Sequence, residues 1–315
     1  MNDAKLLFAG TPEFALPSLR ALVESGRAPV AVLTQPDRPA GRGKKLTASP
    51  IKEYAAAQGI PVWQPVTLKD PQIVDDLRRL EPDLLIVVAY GLLLPSAVLA
   101  IPGQGCLNVH ASLLPRWRGA APIQQAILTG DDRTGVCLMR MDAGLDTGPV
   151  FSCTETGIGV DDSAGDIHDR LAAMGGKLLV QKLDDILAGC LEANPQDDTL
   201  ATYAGKIRKQ DAVIDWNRPA EEIARKIRAY NPVPGASFSC GGERIKCWRA
   251  GVLDGVEGSP GIVVRAGKDG IDVTCGGGAL RMLEVQHPGR RRVSAAEYAS
   301  PVSYTHLTLP TNREV

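Results

Sequence analysis

The sequence predicts an α/β protein in two parts, a doubly wound sheet-and-helix domain followed by a small β-barrel, and three observations carry that reading. Short apolar runs alternate with helical spacings up to residue 187, the signature of a parallel sheet flanked by helices. The run Leu84-Leu85-Ile86-Val87-Val88-Ala89 is apolar without a break, as expected of a central strand covered on both faces. Past residue 205 the texture changes to short β-rich runs separated by glycine-rich turns.

In chain order, residues 5–9 read as the first strand. Gly10-Thr11-Pro12 then turns the chain into a helix over about 15–24 that Gly26 ends, and residues 29–34 form the second strand. Ser49-Pro50 supplies a capping hydroxyl and a proline at the first helical position, so a helix starts there and runs to about Gln58, where Gly59 closes it. Asp70-Pro71 repeats the start signal. After the 84–89 strand come a strand at 107–110, a short helix at 122–128 closed by Gly130, a strand at 135–141, and a long helix at 163–187 with apolar residues three and four apart. Gly189, Asn194-Pro195 and Asp197-Asp198 make 189–205 a polar linker. A helix at 220–229 precedes five short strands at 236–239, 245–250, 261–265, 270–274 and 279–285. The expected divisions are therefore 1–188, 189–205 and 206–300, with the threonine-rich, unpatterned stretch 301–315 an atypical tail that carries no functional argument.

At 315 residues the chain is long for one ordinary domain, and 44% hydrophobic with 23% charged residues is the balance of a soluble globular protein. No apolar stretch reaches the ~18 residues of a membrane span, and the N-terminus MNDAKLLFAG is unlike a signal peptide, so a cytoplasmic location is expected. The seven cysteines, Cys106, Cys137, Cys153, Cys190, Cys240, Cys247 and Cys275, are scattered, with no C-x-x-C and no neighbouring histidine pair. They read as reduced, small buried hydrophobes, and no metal site is expected. The net charge of −1 divides unevenly: residues 1–205 hold 18 Lys+Arg against 24 Asp+Glu, net −6, and residues 206–315 hold 17 against 12, net +5. A basic half suits a polyanionic partner, although ordinary surface variation gives the same numbers.

Two segments could carry chemistry. Leu107-Asn108-Val109-His110-Ala111-Ser112-Leu113-Leu114-Pro115 runs off the end of an expected central strand, where open α/β sheets bind ligands. In extended chain Asn108 and His110 project to one side, and an amide donor beside an imidazole could hold a carbonyl oxygen as it becomes negative. The alternative is that this polar pair only satisfies loop backbone groups. Met141-Asp142-Ala143-Gly144-Leu145-Asp146-Thr147-Gly148-Pro149 places two carboxylates in a glycine-rich loop. Asp146 could orient His110, or both carboxylates could cap turn amides. The loop Gln35 to Lys45 carries Arg38, Arg42, Lys44 and Lys45 against Asp37 alone; it could track phosphates, or be a solvated charged loop. No G-x-G-x-x-G is present, which disfavours a nicotinamide enzyme.

Taken together, N-x-H-x-S-L-L-P followed about thirty residues later by D-x-G-x-D-x-G resembles the active-site signature of the 10-formyltetrahydrofolate-dependent formyltransferases. The resemblance implies a Rossmann-like formyltransferase domain in which Asn108 and His110 stabilise an oxyanion, Asp146 assists proton movement from the attacking amine, and Ser112, Leu113, Leu114 and Pro115 contact the folate. The opening Phe8-Ala9-Gly10-Thr11-Pro12-Glu13-Phe14, the 35–45 loop, Lys206-Ile207-Arg208-Lys209-Gln210-Asp211 and Ile214-Asp215-Trp216 are similar to the branch of that family that acts on methionyl-tRNA. That branch implies formyl transfer from 10-formyltetrahydrofolate to the α-amino group of methionyl-initiator tRNA, for translation initiation, by a monomer without a metal. It also implies a C-terminal barrel of oligonucleotide-binding type, with Arg42, Lys44 and Lys206 touching tRNA. The resemblance covers about residues 4–298. A formyltransferase for an amino sugar or a purine-pathway amine would keep the Asn-His-Asp set without needing the basic loop and barrel, and a noncatalytic RNA-binding protein would bind tRNA but no folate.

Overall fold

The computed structural model describes residues 4–40 and 45–299. The chain forms two compact units. The first comprises the residues up to Pro122, Arg133–Gly157 and His168–Gly205; the second comprises Ile123–Asp132, Ile158–Ile167 and the chain from Lys206 onward.

The first unit opens with β1 (Leu6–Gly10), a single 3-10 turn (Glu13–Ala15) and α1 (Leu16–Glu24), then β2 (Ala31–Leu33) and a small hairpin of β3 (Arg38–Ala40) and β4 (Lys45–Thr47). It continues with α2 (Pro50–Ala57), β5 (Val62–Trp63), α3 (Pro71–Arg79), β6 (Leu84–Val88), α4 (Ser96–Leu99), β7 (Cys106–His110) and β8 (Arg118–Gly119). The expected caps form: the Ser49 hydroxyl accepts from the Lys52 amide at 3.1 Å, and Asp70 accepts from the Gln72 amide at 2.9 Å, each satisfying an amide that the first helical turn leaves without a partner. α5 (Pro122–Thr129), which belongs to the second unit from Ile123 on, is followed by β9 (Arg133–Arg140), β10 (Val150–Gly157), α6 (Ala164–Leu187, in the first unit from His168 on) and β11 (Tyr203–Ala204).

Seven strands make one sheet in the order β10-β9-β7-β6-β1-β2-β5. β5, β2, β1, β6 and β7 are parallel, whereas β9 runs antiparallel to β7 and β10 antiparallel to β9. The sequence pattern implies a parallel sheet and omits β10; the structure corrects both points. β9 and β10 are joined by the 141–149 loop, short enough only for an antiparallel return. The uninterrupted apolar runs follow from burial on both faces. Leu7, Ala9, Leu33, Leu85 and Val87 point to one layer with Val74 and Leu77 of α3 and Val98 of α4, while the alternating residues Leu6, Phe8, Val32, Ile86 and Val88 are equally buried on the other face. Strand order reverses between β1 and β6, which makes the carboxyl ends of β1, β6 and β7 the place where a ligand crevice opens. Gly175 of α6 lies so close to Val109 that an added Cβ would stand 2.8 Å from its methyl. Val109 therefore faces α6, and Asn108 and His110 face the opposite side.

Cys137 and Cys153 correct another expectation. The β9–β10 register sets them directly opposite, with Cα atoms 4.1 Å apart, and they are joined in a disulfide rather than held as separate thiols. Cys106, Cys190, Cys240, Cys247 and Cys275 are free thiols.

The second unit is an antiparallel β domain. α7 (Ala220–Ala229) precedes β12 (Ser237–Cys240), β13 (Glu243–Leu253), β14 (Val263–Gly267), β15 (Gly270–Thr274), β16 (Ala279–Gln286) and β17 (Val293–Ser294), and α8 (Ala295–Ala299) ends the described chain. The strand order is β12-β13-β16-β15-β14, with β17 added alongside β16. Ile223 and Ile227 of α7, one turn apart, pack into a core with Ile245, Cys247, Ile271, Val273, Leu280, Met282 and Val285. Inside this domain the buried carboxylate of Asp272 takes a two-point hydrogen bond from Arg281 on the neighbouring strand, at 2.7 and 2.8 Å. The expected tail 301–315 lies outside the described residues. No helix among them is long and apolar enough to cross a membrane.

Candidate active site

The site grows from the carboxyl end of β7. Asn108 pairs in register with Met139 of β9 and His110 with Cys137, so the two side chains stand two residues apart on one face of the sheet. Both are nearly buried, at 9% and 6% exposure, which removes competing water from any hydrogen bond they make. His110 Nε2 lies 3.2 Å from the Trp117 carbonyl oxygen, and Nδ1 lies 3.8 Å from Asp146 Oδ2. The imidazole thus lies between a backbone oxygen within hydrogen-bond reach and a carboxylate just beyond it.

Asp146 reaches this position through an unusual backbone. Its φ is +53°, a left-handed value that costs a non-glycine residue free energy unless the surroundings enforce it. The surroundings do so at two points. Asp146 Oδ2 accepts a 2.8 Å hydrogen bond from the Gly119 amide, and the Asp146 carbonyl accepts one of 2.8 Å from Gln196 Nε2. The two carboxylates of the loop therefore divide their work. Asp142 caps the turn, accepting from the Gly144 amide at 3.0 Å and the Thr147 hydroxyl at 2.7 Å, while Asp146 is turned toward His110.

After His110 the chain makes a tight loop. Ser112 is fully buried and its hydroxyl donates to the Arg116 carbonyl at 2.6 Å; Leu113, Leu114 and Pro115 remain partly exposed beside His110. These three side chains are apolar and partly open to solvent. Above β1 and β2, the Thr11 hydroxyl donates to the Tyr90 carbonyl at 2.9 Å, tying the Gly10-Thr11-Pro12 turn to the end of β6.

Sequence reasoning did not single out Arg118 or Gln196. The Arg118 guanidinium is buried to 1% exposure and donates to Gln196 Oε1 through Nε at 3.0 Å and Nη2 at 2.9 Å, and to Asp198 Oδ1 at 2.7 Å. The stretch expected as a linker is laced to the first unit by these bonds. It is further held by the pairing of β11 with β8, and by the Trp117 amide donating to the Thr202 hydroxyl at 2.9 Å. The one available signal was a polar run in which Gln196 sits just before an Asp-Asp pair; no periodicity marks a contact reaching back 78 residues.

Arg42 and Lys44 lie outside the described residues. Their loop is anchored at its base, where Asp37 accepts from Lys52 at 2.7 Å and Gln64 at 2.8 Å. The bond to Lys52, and next that to Gln64, hold the Asp37 carboxyl below the usual carboxylate range. Lys206 is exposed at the start of the second unit. No group of three or more His, Cys, Asp and Glu side chains converges among the described residues in a way that could hold a metal ion.

Comparison with known proteins places this geometry. Residues 4–183 match the family described as Formyl transferase, and residues 206–302 match Formyl transferase, C-terminal domain. The methionyl-tRNA formyltransferase of Methylococcus capsulatus is 51% identical over 295 residues, covering 93% of this chain and 96% of that protein. That of Pseudomonas entomophila is 52% identical over 293 residues, covering 93% and 94%. Among solved structures, HypX from Aquifex aeolicus in complex with tetrahydrofolic acid superposes with a TM-score of 0.64 at 17% identity, over 94% of this chain and 47% of that one. An N-formyltransferase from Helicobacter canadensis, in complex with folinic acid and dTDP-3-aminofucose, gives 0.64 at 18%, over 89% and 99%. The structures establish a shared fold; the two domain matches and the near-full-length identity of about half establish more, and the chain belongs to the methionyl-tRNA formyltransferase family.

Proposed function

We propose that this chain's transfer of a formyl group from 10-formyltetrahydrofolate to the α-amino group of methionyl-tRNA runs through Asn108, His110 and Asp146. The observation that carries this is the buried Asn108–His110 pair on one face of β7, with the Asp146 carboxylate 3.8 Å from the imidazole. The folate donor supplies the formyl carbon. Amine attack on it leaves negative charge on the carbonyl oxygen and an excess proton on the nitrogen, so a site must answer both. Asn108 and His110 donate hydrogen bonds to the oxygen, and Asp146, through His110 or a water, takes the proton; collapse of the adduct then breaks the bond from the formyl carbon to folate N10, which leaves with a proton as tetrahydrofolate. Leu113, Leu114 and Pro115 provide the apolar surface for the folate ring; Ser112, expected to touch the folate, is fully buried with its hydroxyl on the Arg116 carbonyl and shapes their loop instead.

The same reading assigns residues 1–188 to catalysis, 189–205 to the join and 206–300 to a tRNA-holding β domain, with Arg42, Lys44 and Lys206 on phosphates and the initiator tRNA as the acceptor. The net +5 of residues 206–315 supports it. Charged tRNA places the work in the cytoplasm, and one chain supplies every proposed catalytic group, so a monomer suffices.

Loss of one oxyanion donor costs about 10²–10³ in rate. Asn108→Ala and His110→Ala are expected to fall at least that far in formyl transfer while still binding tRNA; near-normal turnover in both would overturn the assignment. Arg42→Ala is expected to raise the KM for tRNA and make the dependence of log KM on log salt shallower by somewhat under one phosphate contact, about 0.7–0.9. An unchanged slope would remove the loop from tRNA contact.

A further inference from the structure

The contacts of Gln196 single it out from the polar stretch around it. Its amide is used at both ends: Oε1 receives the buried Arg118 guanidinium, and Nε2 donates to the backbone carbonyls of Asp146 and Gly148. These carbonyls lie in the turn that presents Asp146 to His110, where Asp146 is held in a left-handed conformation. Arg118 precedes Gly119, whose amide grips the Asp146 carboxylate. Gly119 itself has φ +116° and lies against the Ala204 carbonyl, where any Cβ would clash, so β8 is locked to β11. Arg118 thus bears on one aspartate in two ways: its guanidinium holds Gln196, which grips the Asp146 backbone, and its chain neighbour Gly119 grips the carboxylate.

We infer that Gln196 is a positioning residue for formyl transfer: it acts through the 146–148 backbone to set the Asp146 carboxylate against His110, with Arg118 fixing the amide's orientation. A glutamine suits this place because one planar group must accept from a cation on one side and donate to two carbonyls on the other. A carboxylate would satisfy Arg118 at least as well but would turn acceptors toward the Asp146 and Gly148 carbonyls.

That difference gives the test, which rests on the role proposed for Asp146. Gln196→Glu keeps the partner of Arg118 and removes both donors to the loop. It is expected to lower the melting temperature but leave the chain folded at the assay temperature, and to keep the KM values for 10-formyltetrahydrofolate and methionyl-tRNA within about twofold while kcat falls about 10–100-fold, the range expected when a reacting group is displaced by up to an ångström. In the Asp146→Asn background the same Gln196→Glu change is expected to cost less than about threefold, because its target is already gone. Wild-type kcat in Gln196→Glu, with Asp146→Asn severely impaired, overturns the inference and leaves the catalytic assignment standing. Wild-type kcat in Asp146→Asn overturns the catalytic assignment itself. Fully multiplicative losses in the double variant, or a loss in Gln196→Glu confined to melting temperature and KM, assign Gln196 a structural role and also overturn the inference.

Discussion

Gly148 closes the loop that carries Asp146, and the structure allows the effect of Gly148→Ala to be worked out. The residue is buried, and an alanine Cβ placed on its backbone would fall well inside contact distance of the Arg140 carbonyl oxygen. A Cβ and a backbone oxygen are both fixed by the main chain, so no side-chain rotation relieves the contact, and Arg140 is tied to the same loop through the 2.9 Å hydrogen bond its amide donates to the Pro149 carbonyl. The loop must move by about 1 Å, and a displacement of that size at a positioned group costs about 10² in rate. The overpacking itself costs about 1–3 kcal/mol of stability. Single-turnover formyl transfer, measured well below the melting transition, separates the two effects. Gly189→Ala serves as the control: φ there is +67° with open space around the Cβ position, so it should lower stability by about 1 kcal/mol without slowing transfer. A Gly148→Ala rate within about threefold of wild type would refute the claim that loop placement sets the chemistry.

Two further outcomes are expected. Arg281 holds the Asp272 carboxyl below its ordinary range, mainly by direct hydrogen bonding and against the opposing effect of burial. The carboxyl is thus more acidic in the folded chain, so its stabilising contribution is present above the unfolded carboxylate pKa of about 3.9 and is lost as pH falls through the lower folded value. Arg281→Ala is expected to destabilise the chain at neutral pH, with the deficit shrinking below about pH 4; a pH-independent deficit in denaturant melts would contradict this. Thiol titration of the unreduced, denatured chain is expected to find the five free cysteines and not all seven, and seven would exclude the Cys137–Cys153 bond.

What the sequence discloses about this molecule is mostly local. Ser49-Pro50 and Asp70-Pro71 announce α2 and α3 because a cap acts within three residues, and the 84–89 run announces β6 because two-sided burial needs no partner identified. Asn108 and His110 were legible as a pair because strand geometry alone puts alternate residues on one face. The direction of β9 was not, since a strand's own residues carry no record of the sense of its neighbour. β10, an edge strand with alternate residues exposed, lacks the continuous apolar signal of the centre. The disulfide depends on a register between strands, which scattered cysteine spacing cannot reveal. Arg118 and Gln196 escaped for the same reason. A buried arginine and a polar glutamine in a proline-flanked stretch look like surface until the fold brings them together, and the network they form is visible only in three dimensions.

The most direct test of the account is transfer of labelled formyl from 10-formyltetrahydrofolate by the purified chain to methionyl-tRNA, with free methionine and uncharged tRNA alongside. The account predicts label on the charged tRNA alone, lost in His110→Ala. Transfer to free methionine at a comparable rate, or undiminished transfer by His110→Ala, would contradict it.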